Sequence, residues 1–455
     1  MSLRVLVVDD TVLYRHLIAE VLGELDGVEV IGSAAGGRMA LARMESLRPD
    51  LVTLDIEMPD LNGLQVLEEM QRRNLTPGVV VLSAVTVRGG EMTIRALQLG
   101  AFDFVTKPSG GTPEANRAVL RSALDPVVRA FTRRREIRGI LRRPGAAGTE
   151  STGAAGAKSG ATTAPPESSR GPGRTSAPTP ASSTLPSVIR PLLARPPMSA
   201  PGGPPVSLRG VSRPAGLSAP PAGTGRLPAP DSTSRTESVP GAGGAGLDDV
   251  SRRMSRLSRT ARPELVLIGI STGGPNALTR MLPQLPGSLG VPVLVVQHMP
   301  PLFTKSLADS LAPKCALRVK EAESGEPARP GSIYIAPGGR QMKVISGPGG
   351  DPVIEITDDP AENNCRPAVD YLFRSAANQF AGRAVAVIMT GMGGDGTLGM
   401  KLLKRGGALT IAQDEATCIV YGMPREAVQA GVVDLVLPLD EIAEGISRAV
   451  RGVAA

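Results

Sequence analysis

A serine, a histidine and an aspartate, each at the end of a run rich in aliphatic residues, are the first residues here whose types and spacing could do chemistry together. Ser271 stands in GISTG (269–273), where the apolar run 264–270 meets a helical pattern that starts near Pro275. A strand-to-helix turn of this kind exposes a hydroxyl and aims backbone N–H groups at a developing oxyanion. The same glycine-rich turn would also serve as a phosphate cradle. His298 closes the run 292–298 and is one of two histidines in the chain, the other being His16. Asp395 follows the run 384–390 inside MTGMGGDG. If the three runs are neighbouring strands, all three side chains reach one sheet edge. The imidazole can then take the hydroxyl proton, and the carboxylate can fix its tautomer and stabilise its cation.

A second constellation lies near the start of the chain. Asp9 and Asp10 end the first apolar run, Asp55 the third, Ser83 the fourth and Lys107 the fifth. Ligands of an open parallel sheet sit at the carboxyl ends of its strands. Three carboxylates meeting one ammonium group make a hard, oxygen-rich site suited to magnesium. Asp55 is placed to accept a phosphoryl group whose oxygens Lys107 and Ser83 can contact. Taken singly, Asp9 and Asp10 could merely cap a helix and Asp55 a turn; their coincidence on strand ends points to a site. His16 falls on the first helix, outside this cluster.

The elements that must position these residues read as two α/β domains. Strands are expected at 4–10, 28–34, 51–57, 78–84 and 102–107, alternating with amphipathic segments at 14–25, 38–47, 64–73 and 91–99. Alternation of this kind predicts a flavodoxin-like five-stranded parallel sheet covered on both faces. A last helix is expected from Glu114 to about Arg143. From 263 onward, strands are expected at 264–270, 292–298, 332–337, 384–390, 409–414 and 433–438. A hairpin at 343–346 and 353–357 is inserted among them. This second domain is read as a doubly wound α/β fold. Its order Ser, His, Asp differs from the Ser, Asp, His order of α/β-hydrolases, so it is not an ordinary esterase fold.

Composition explains what lies between. The 455 residues carry a formal charge of +7, with 54 Gly, 42 Pro, ten aromatics and no Trp. Residues 141–260 alone hold 15 Lys/Arg, 6 Asp/Glu, 19 Pro and no aromatic, so the rest of the chain carries a net −2. The basic character therefore belongs to a low-complexity stretch that is expected to be a long disordered linker. Nucleic acid is not expected as a partner, because scattered Arg without interleaved aromatics is solvation. The apolar stretch 185–193 offers an alternative docking peptide. The expected domains are 1–125, a helical extension with linker over 126–262, and 263–455. Three unpaired cysteines, at 315, 365 and 418, point to a reducing cytoplasm and are read as packing residues. With neither a signal peptide nor a span-length apolar run, a cytoplasmic chain without membrane insertion is expected, and a monomer.

The first segment resembles a response-regulator receiver domain through DD (9–10), LDIEMPDLNG (54–63), Ser83 and Lys107-Pro108. The resemblance, over about 3–123, implies phosphorylation of Asp55 by a histidine kinase. It also implies Mg²⁺ held by Asp10, Asp55 and the Glu57 carbonyl, with Asp9 acting through water. Ser83 and Phe104 fall on the family's switch positions. The C-terminal segment is similar to the catalytic domain of chemotaxis protein-glutamate methylesterases, the CheB family. GISTGGPNAL (269–278), QHMPPLFTKSLA (297–308), RPAVDYLF (366–373), MTGMGGDGTLGM (389–400) and AQDEATCIVYGMPREA (412–427) carry that similarity. It implies Ser271 as nucleophile, His298 as base and Asp395 as orienting acid, with no cofactor for the ester reaction. Thr272 and Met392 border the family's site, where their N–H groups are expected to help form an oxyanion hole. The implied substrates are glutamate γ-methyl esters, and some glutamines, on methyl-accepting chemoreceptors.

The pattern is not followed everywhere. Ile270 replaces a small residue before the nucleophile, and Gln341 and Ala368 stand where His and Ser are common. Arg366 and Glu426 either shape the pocket or form structural salt bridges. The methionines of QHMPP and TGMGGDG are expected to line the pocket. The linker exceeds the family's usual length; a flexible chain of ~110 residues spans ~55–60 Å root-mean-square, which weakens inhibition in cis unless the docking surfaces compensate. Two rivals remain at this point: the same esterase in a non-chemotactic pathway, or a regulator whose second domain is a binding module.

Overall fold

The computed structural model describes residues 2–141, 262–380 and 382–452. The expected linker and the 185–193 segment lie outside the described residues.

The N-terminal sheet comprises β1 (Leu3–Val8), β2 (Val28–Ala34), β3 (Leu51–Asp55), β4 (Gly78–Ser83) and β5 (Asp103–Thr106), all parallel, in the order β2-β1-β3-β4-β5. Helices α1 (Val12–Gly23), α2 (Gly37–Leu47), α3 (Gly63–Arg72), α4 (Val87–Gln98) and α5 (Pro113–Leu141) cover its faces. β3 is buried along its whole length and β1 and β4 almost so, as continuous aliphatic runs require in a sheet covered on both sides. α3 is set in register by a capping box, in which Asn62 and Gln65 satisfy each other's backbone N–H groups. β1 stops at Val8, so Asp9 and Asp10 fall just past the strand and turn the chain into α1.

The C-terminal sheet has seven parallel strands in the order β14-β13-β12-β6-β7-β9-β8. They are β6 (Leu265–Ile270), β7 (Val293–Gln297), β8 (Arg318–Glu321), β9 (Ser332–Ile335), β12 (Ala384–Ile388), β13 (Leu409–Gln413) and β14 (Leu435–Leu437). The expected hairpin forms a separate antiparallel pair, β10 (Gln341–Ser346) and β11 (Pro352–Thr357). Helices α6 (Gly274–Met281), α7 (Phe303–Leu311), α8 (Val369–Phe380), α9 (Thr397–Arg405), α10 (Met423–Gln429) and α11 (Leu439–Arg451) complete the layers. β8 was not expected: Arg-Val-Lys-Glu shows one buried aliphatic residue and no run, and it joins only as the edge strand beside β9. The first strand of the domain, β6, is central. The chain runs outward from it to β7 and later returns on its other side at β12, which opens a crevice over its carboxyl end.

The two sheets belong to one compact unit, and a single apolar cluster includes Ile94 and Leu97 of α4 with Phe303 and Leu307 of α7. Phe104 of β5 stacks on Phe303, with ring centroids 5.0 Å apart and an interplanar angle of 13°. Gly90 packs on Ser306, and Gln98 Nε2 donates to Ser310 Oγ at 3.3 Å.

Candidate functional site

Ser271 follows β6 directly, and its N–H donates to Thr390 O at 3.0 Å, which ties it to the end of β12. The turn closes through Gly274 N–H to Ser271 O at 2.8 Å. Gly273 has φ of +79°, and a Cβ there would sit 2.4 Å from the Ile419 side chain, so the position excludes any other residue. Gln297, the last residue of β7, donates from Nε2 to Ser271 O at 2.9 Å and so fixes the carbonyl of that turn. Gly391 lies so close that an added Cβ would meet Ser271 Cβ at 2.8 Å.

His298 N–H donates to Ile270 O at 3.1 Å, which brings the histidine beside the serine turn. Its Nε2 lies 2.7 Å from Asp395 Oδ2. The Asp395 carboxylate also accepts from Val369 N–H at 2.7 Å, Asp370 N–H at 3.0 Å and Asn363 Nδ2 at 2.8 Å. With every acceptor position used, it stays ionised: burial works against the charge, but the hydrogen bonds from His298 and the backbone hold its pKa below the ordinary value. Burial likewise opposes charge on His298, but hydrogen bonds to Asp395 and Cys365 outweigh it and push its pKa up to about 9. Nε2 is engaged by Asp395, while Nδ1, the other ring nitrogen, faces Cys365 Sγ. Ser271, Thr272 and His298 line one cavity together with Gln297, Pro275 and Pro300. Ser271 Oγ and His298 are not hydrogen-bonded to each other; they share the cavity wall.

The opposite wall of that cavity is the receiver's β5, which contributes Asp103, Phe104, Val105 and Thr106. The Thr272 hydroxyl donates to the Asp103 carboxylate, whose pKa burial pushes up to about 6. The receiver therefore bounds the cavity that holds Ser271 on this side.

Thr272 is buried and Met392 half-buried. Among the described residues, neither backbone N–H donates to another group. Neither Met299 nor Met392 lines the cavity, against the expectation for these methionines: Met299 points into the apolar core. Glu426 pairs with neighbouring Arg425 at 3.0 Å, and Arg366 reaches the Asp358 carbonyl at 3.4 Å, so both are structural. Gln341 is fully buried. It accepts from Ala368 N–H at 2.8 Å and donates to Pro360 O at 3.1 Å and Cys365 O at 3.3 Å, clamping the loop before α8. Cys365, expected to be a packing residue, instead places Sγ 3.6 Å from His298 Nδ1.

In the receiver, Lys107 Nζ lies 2.7 Å from both Asp9 Oδ2 and Asp55 Oδ2. Asp55 Oδ1 accepts from Glu57 N–H at 3.3 Å. Burial is the largest influence on Asp55 and raises its pKa to about 6 despite the adjacent ammonium. Oxygens of Asp9, Asp10 and Asp55 lie within 4.8 Å of one another, and Asp10 is exposed. These hard donors fit magnesium: three carboxylates face one lysine, which leaves negative charge that a cation would balance. Ser83 Oγ donates to Gly89 O, in the first turn of α4, at 3.2 Å.

The fold and the two sites define a receiver domain joined to an α/β domain with a Ser-His-Asp arrangement at the ends of its central strands. Residues 5–116 match the family described as response regulator receiver domain, and 266–446 the family described as CheB methylesterase. A protein-glutamate methylesterase/protein-glutamine glutaminase of Desulfotalea psychrophila is 43% identical over 99% of each chain. One of the same description from Symbiobacterium thermophilum is 38% identical over 98% of this chain and 97% of its own. The crystal structure of the Thermotoga maritima CheB methylesterase catalytic domain is 43% identical, covering 41% of this chain and 99% of its own, with a TM-score of 0.40. The chain belongs to the CheB methylesterase family.

Proposed function

We propose that this chain hydrolyses glutamate γ-methyl esters on chemoreceptors, releasing methanol, and deamidates receptor glutamines by the same attack. Its C-terminal domain does the chemistry and its receiver controls access. His298 Nδ1 takes the Ser271 proton as Oγ bonds to the γ-carbonyl carbon. The oxyanion forms beside the Thr272 and Met392 N–H groups. Its collapse breaks the bond to methoxide, which leaves as methanol with the proton from His298. Water then attacks the acyl-serine with His298 again as base, releasing glutamate and restoring Ser271. Asp395 holds the imidazole throughout and stabilises its charged form.

In the receiver, an Asp55 oxygen attacks the phosphorus of a kinase phosphohistidine; the P–N bond breaks and the imidazole leaves. Asp10, Asp55 and the Glu57 carbonyl would hold magnesium, with Asp9 acting through water. Such an ion screens the charge on the incoming phosphoryl group. Lys107 pairs with the phosphoryl oxygens. Ser83 turns inward to reach them and gives up Gly89 O, which loosens the first turn of α4 beside its contact with α7. Phe104 shares β5 with Lys107, so its stacking on Phe303 yields in the same movement. The reading includes a cytoplasmic setting, a monomeric chain and no nucleic-acid partner. Among the described residues no helix is long and apolar enough to cross a membrane.

The observation that carries the proposal is the receiver's β5 forming one wall of the cavity that holds Ser271 and His298. The test is methanol release from methylated chemoreceptor membranes by the full chain, with and without a small phosphodonor and Mg²⁺. Release should rise with the phosphodonor, lose that rise in Asp55→Asn and vanish in Ser271→Ala. Release that survives Ser271→Ala would overturn the mechanism.

A further inference from the structure

The chain has two histidines, and the only one in the catalytic domain has a thiol against it. We propose that His298 Nδ1 and Cys365 Sγ form a binding site for a soft divalent cation of the zinc class, and that its occupation shuts off the esterase. Three observations support it independently of sequence pattern.

The first is spacing. A tetrahedral ion bonded at ~2.3 Å to sulfur and ~2.0 Å to nitrogen sets those atoms ~3.5 Å apart. Cys365 Sγ and His298 Nδ1 are separated by 3.6 Å, so both can bind one ion with little movement. In the metal-free state a proton shared by this pair bridges the same gap.

The second is the far side of the ring. A metal-binding histidine characteristically donates its other N–H to a carboxylate, which fixes the ring and raises its basicity. His298 Nε2 is held by Asp395 Oδ2 at 2.7 Å. Asp395 takes three further hydrogen bonds, so it acts as the backing carboxylate and not as a ligand.

The third is the rigidity and reach of the thiol. Cys365 N–H donates to Glu362 O at 2.8 Å, and Cys365 O accepts from Glu362 N–H at 3.1 Å and from Gln341 Nε2 at 3.3 Å. The loop is fixed on both sides of the sulfur, yet both Cys365 and His298 are only half-buried. His298 itself lines the cavity that holds Ser271, and water from it completes the shell. Binding releases to solvent the thiol proton and the proton carried on Nδ1 of the charged imidazole, and forms the sulfur–metal and nitrogen–metal bonds, with no change of oxidation state.

The donor set separates this site from the receiver's. Nitrogen with sulfur selects zinc-class ions, and three carboxylates select magnesium. An ion on Nδ1 occupies the lone pair that must receive the Ser271 proton. The inhibition, though not the binding, therefore rests on the esterase reading.

The experiment uses the full chain and Co²⁺ as a spectroscopic probe. A near-ultraviolet thiolate-to-cobalt charge-transfer band should appear, persist in Cys418→Ser and Cys315→Ser, and be lost in Cys365→Ser. Zn²⁺ should remove the band and Mg²⁺ should not. In the unmodified chain, Zn²⁺ but not Mg²⁺ should protect Cys365 from iodoacetamide, read by peptide mass spectrometry; this arm holds even if Cys365→Ser fails to fold. In methanol release with phosphodonor, half-inhibition of Cys365→Ser should need at least ~10-fold more Zn²⁺, each protein being scaled to its own metal-free rate. Absence of both the band and the protection overturns the site. Equal Zn²⁺ sensitivity in Cys365→Ser overturns the inhibition. A band and protection in a chain that releases no methanol would leave the metal site standing while the esterase reading falls.

Discussion

Replacing Gly90 by leucine should unlock the catalytic domain without any phosphoryl group. Gly90 is buried in α4 where it packs on α7, and an ideal Cβ built there lies 2.8 Å from Ser306 Oγ and 3.6 Å from Leu302 O. Ser306 is itself buried, and its hydroxyl donates to Leu302 O at 3.1 Å, so it has no free direction in which to retreat. The first added carbon already needs several tenths of an ångström, and three more follow it. Overpacking of this kind costs about 1–3 kcal/mol. All of it falls on the docked state, because the clash is with the other domain. Docking should therefore weaken by about 5- to 150-fold, one tenfold step for each ~1.4 kcal/mol. The receiver itself does not suffer, since leucine in place of glycine favours an α-helix by about 0.8 kcal/mol. The assay is methanol release from methylated receptor membranes without phosphodonor. The rate should rise towards that of the phosphodonor-treated unmodified chain and gain little more when phosphodonor is added. The milder Gly90→Ala should give a smaller rise, and adding Ser306→Ala, which removes the clashing oxygen, should reverse it. A folded Gly90→Leu chain with an unchanged resting rate would refute the idea that the α4–α7 contact holds the site shut.

Two further outcomes follow from the site. A base must be neutral to work, and His298 is held charged up to a pKa of about 9, so only about one molecule in a hundred has a competent imidazole at pH 7. Measured kcat/KM should climb about tenfold per pH unit from neutrality and level off near pH 9; a profile already flat at pH 7 would contradict the His298–Asp395–Cys365 electrostatics. Gln341→Ala should lower stability by about 2–4 kcal/mol, because it strands the buried Ala368 N–H and removes the donor to Pro360 O and Cys365 O. Chemical denaturation of the full chain, following the catalytic domain, measures that loss, and a change below about 0.5 kcal/mol would show that the clamp is dispensable.

Both sheets and both constellations were legible because continuous aliphatic runs announce buried parallel strands, and polar residues at their ends announce the crevice. β2 falls on 28–34, as its run indicates; Ser271 and His298 directly follow their strands, and Asp395 lies in the loop between β12 and α9. What escaped had no local signal. β8 is short and charged, and gains its conformation only by pairing with β9. Cys365 and His298 are 67 residues apart, and Asn363 reaches Asp395 across 32, so neither contact follows from spacing. Gln341 looked like a departure in the sequence, yet in the fold it is a buried clamp with both amide ends satisfied. Met299 stands in a motif beside His298, but it lies just past the end of β7 and packs into the core.

The receiver's own architecture explains why a phosphoryl event can reach Ser271 without a long relay. Lys107, which pairs with Asp55, and Asp103, which accepts from Thr272, are four residues apart on one strand and its end, a distance of ~13 Å along an extended chain. Phe104, between them, carries the stacking contact to Phe303. A second route runs through α4: Ser83 is bound to Gly89, and Gly90 is the residue that meets Ser306. Any inward movement of Ser83 costs the Gly89 hydrogen bond, about 0.5–1.5 kcal/mol, at the turn that forms the interdomain contact. Both routes end on the same surface of the catalytic domain, one at α7 and the other at the wall of the cavity. Docking in this chain is therefore held by a surface whose two halves are attached to Lys107 and Ser83, and releasing either half removes support from the other.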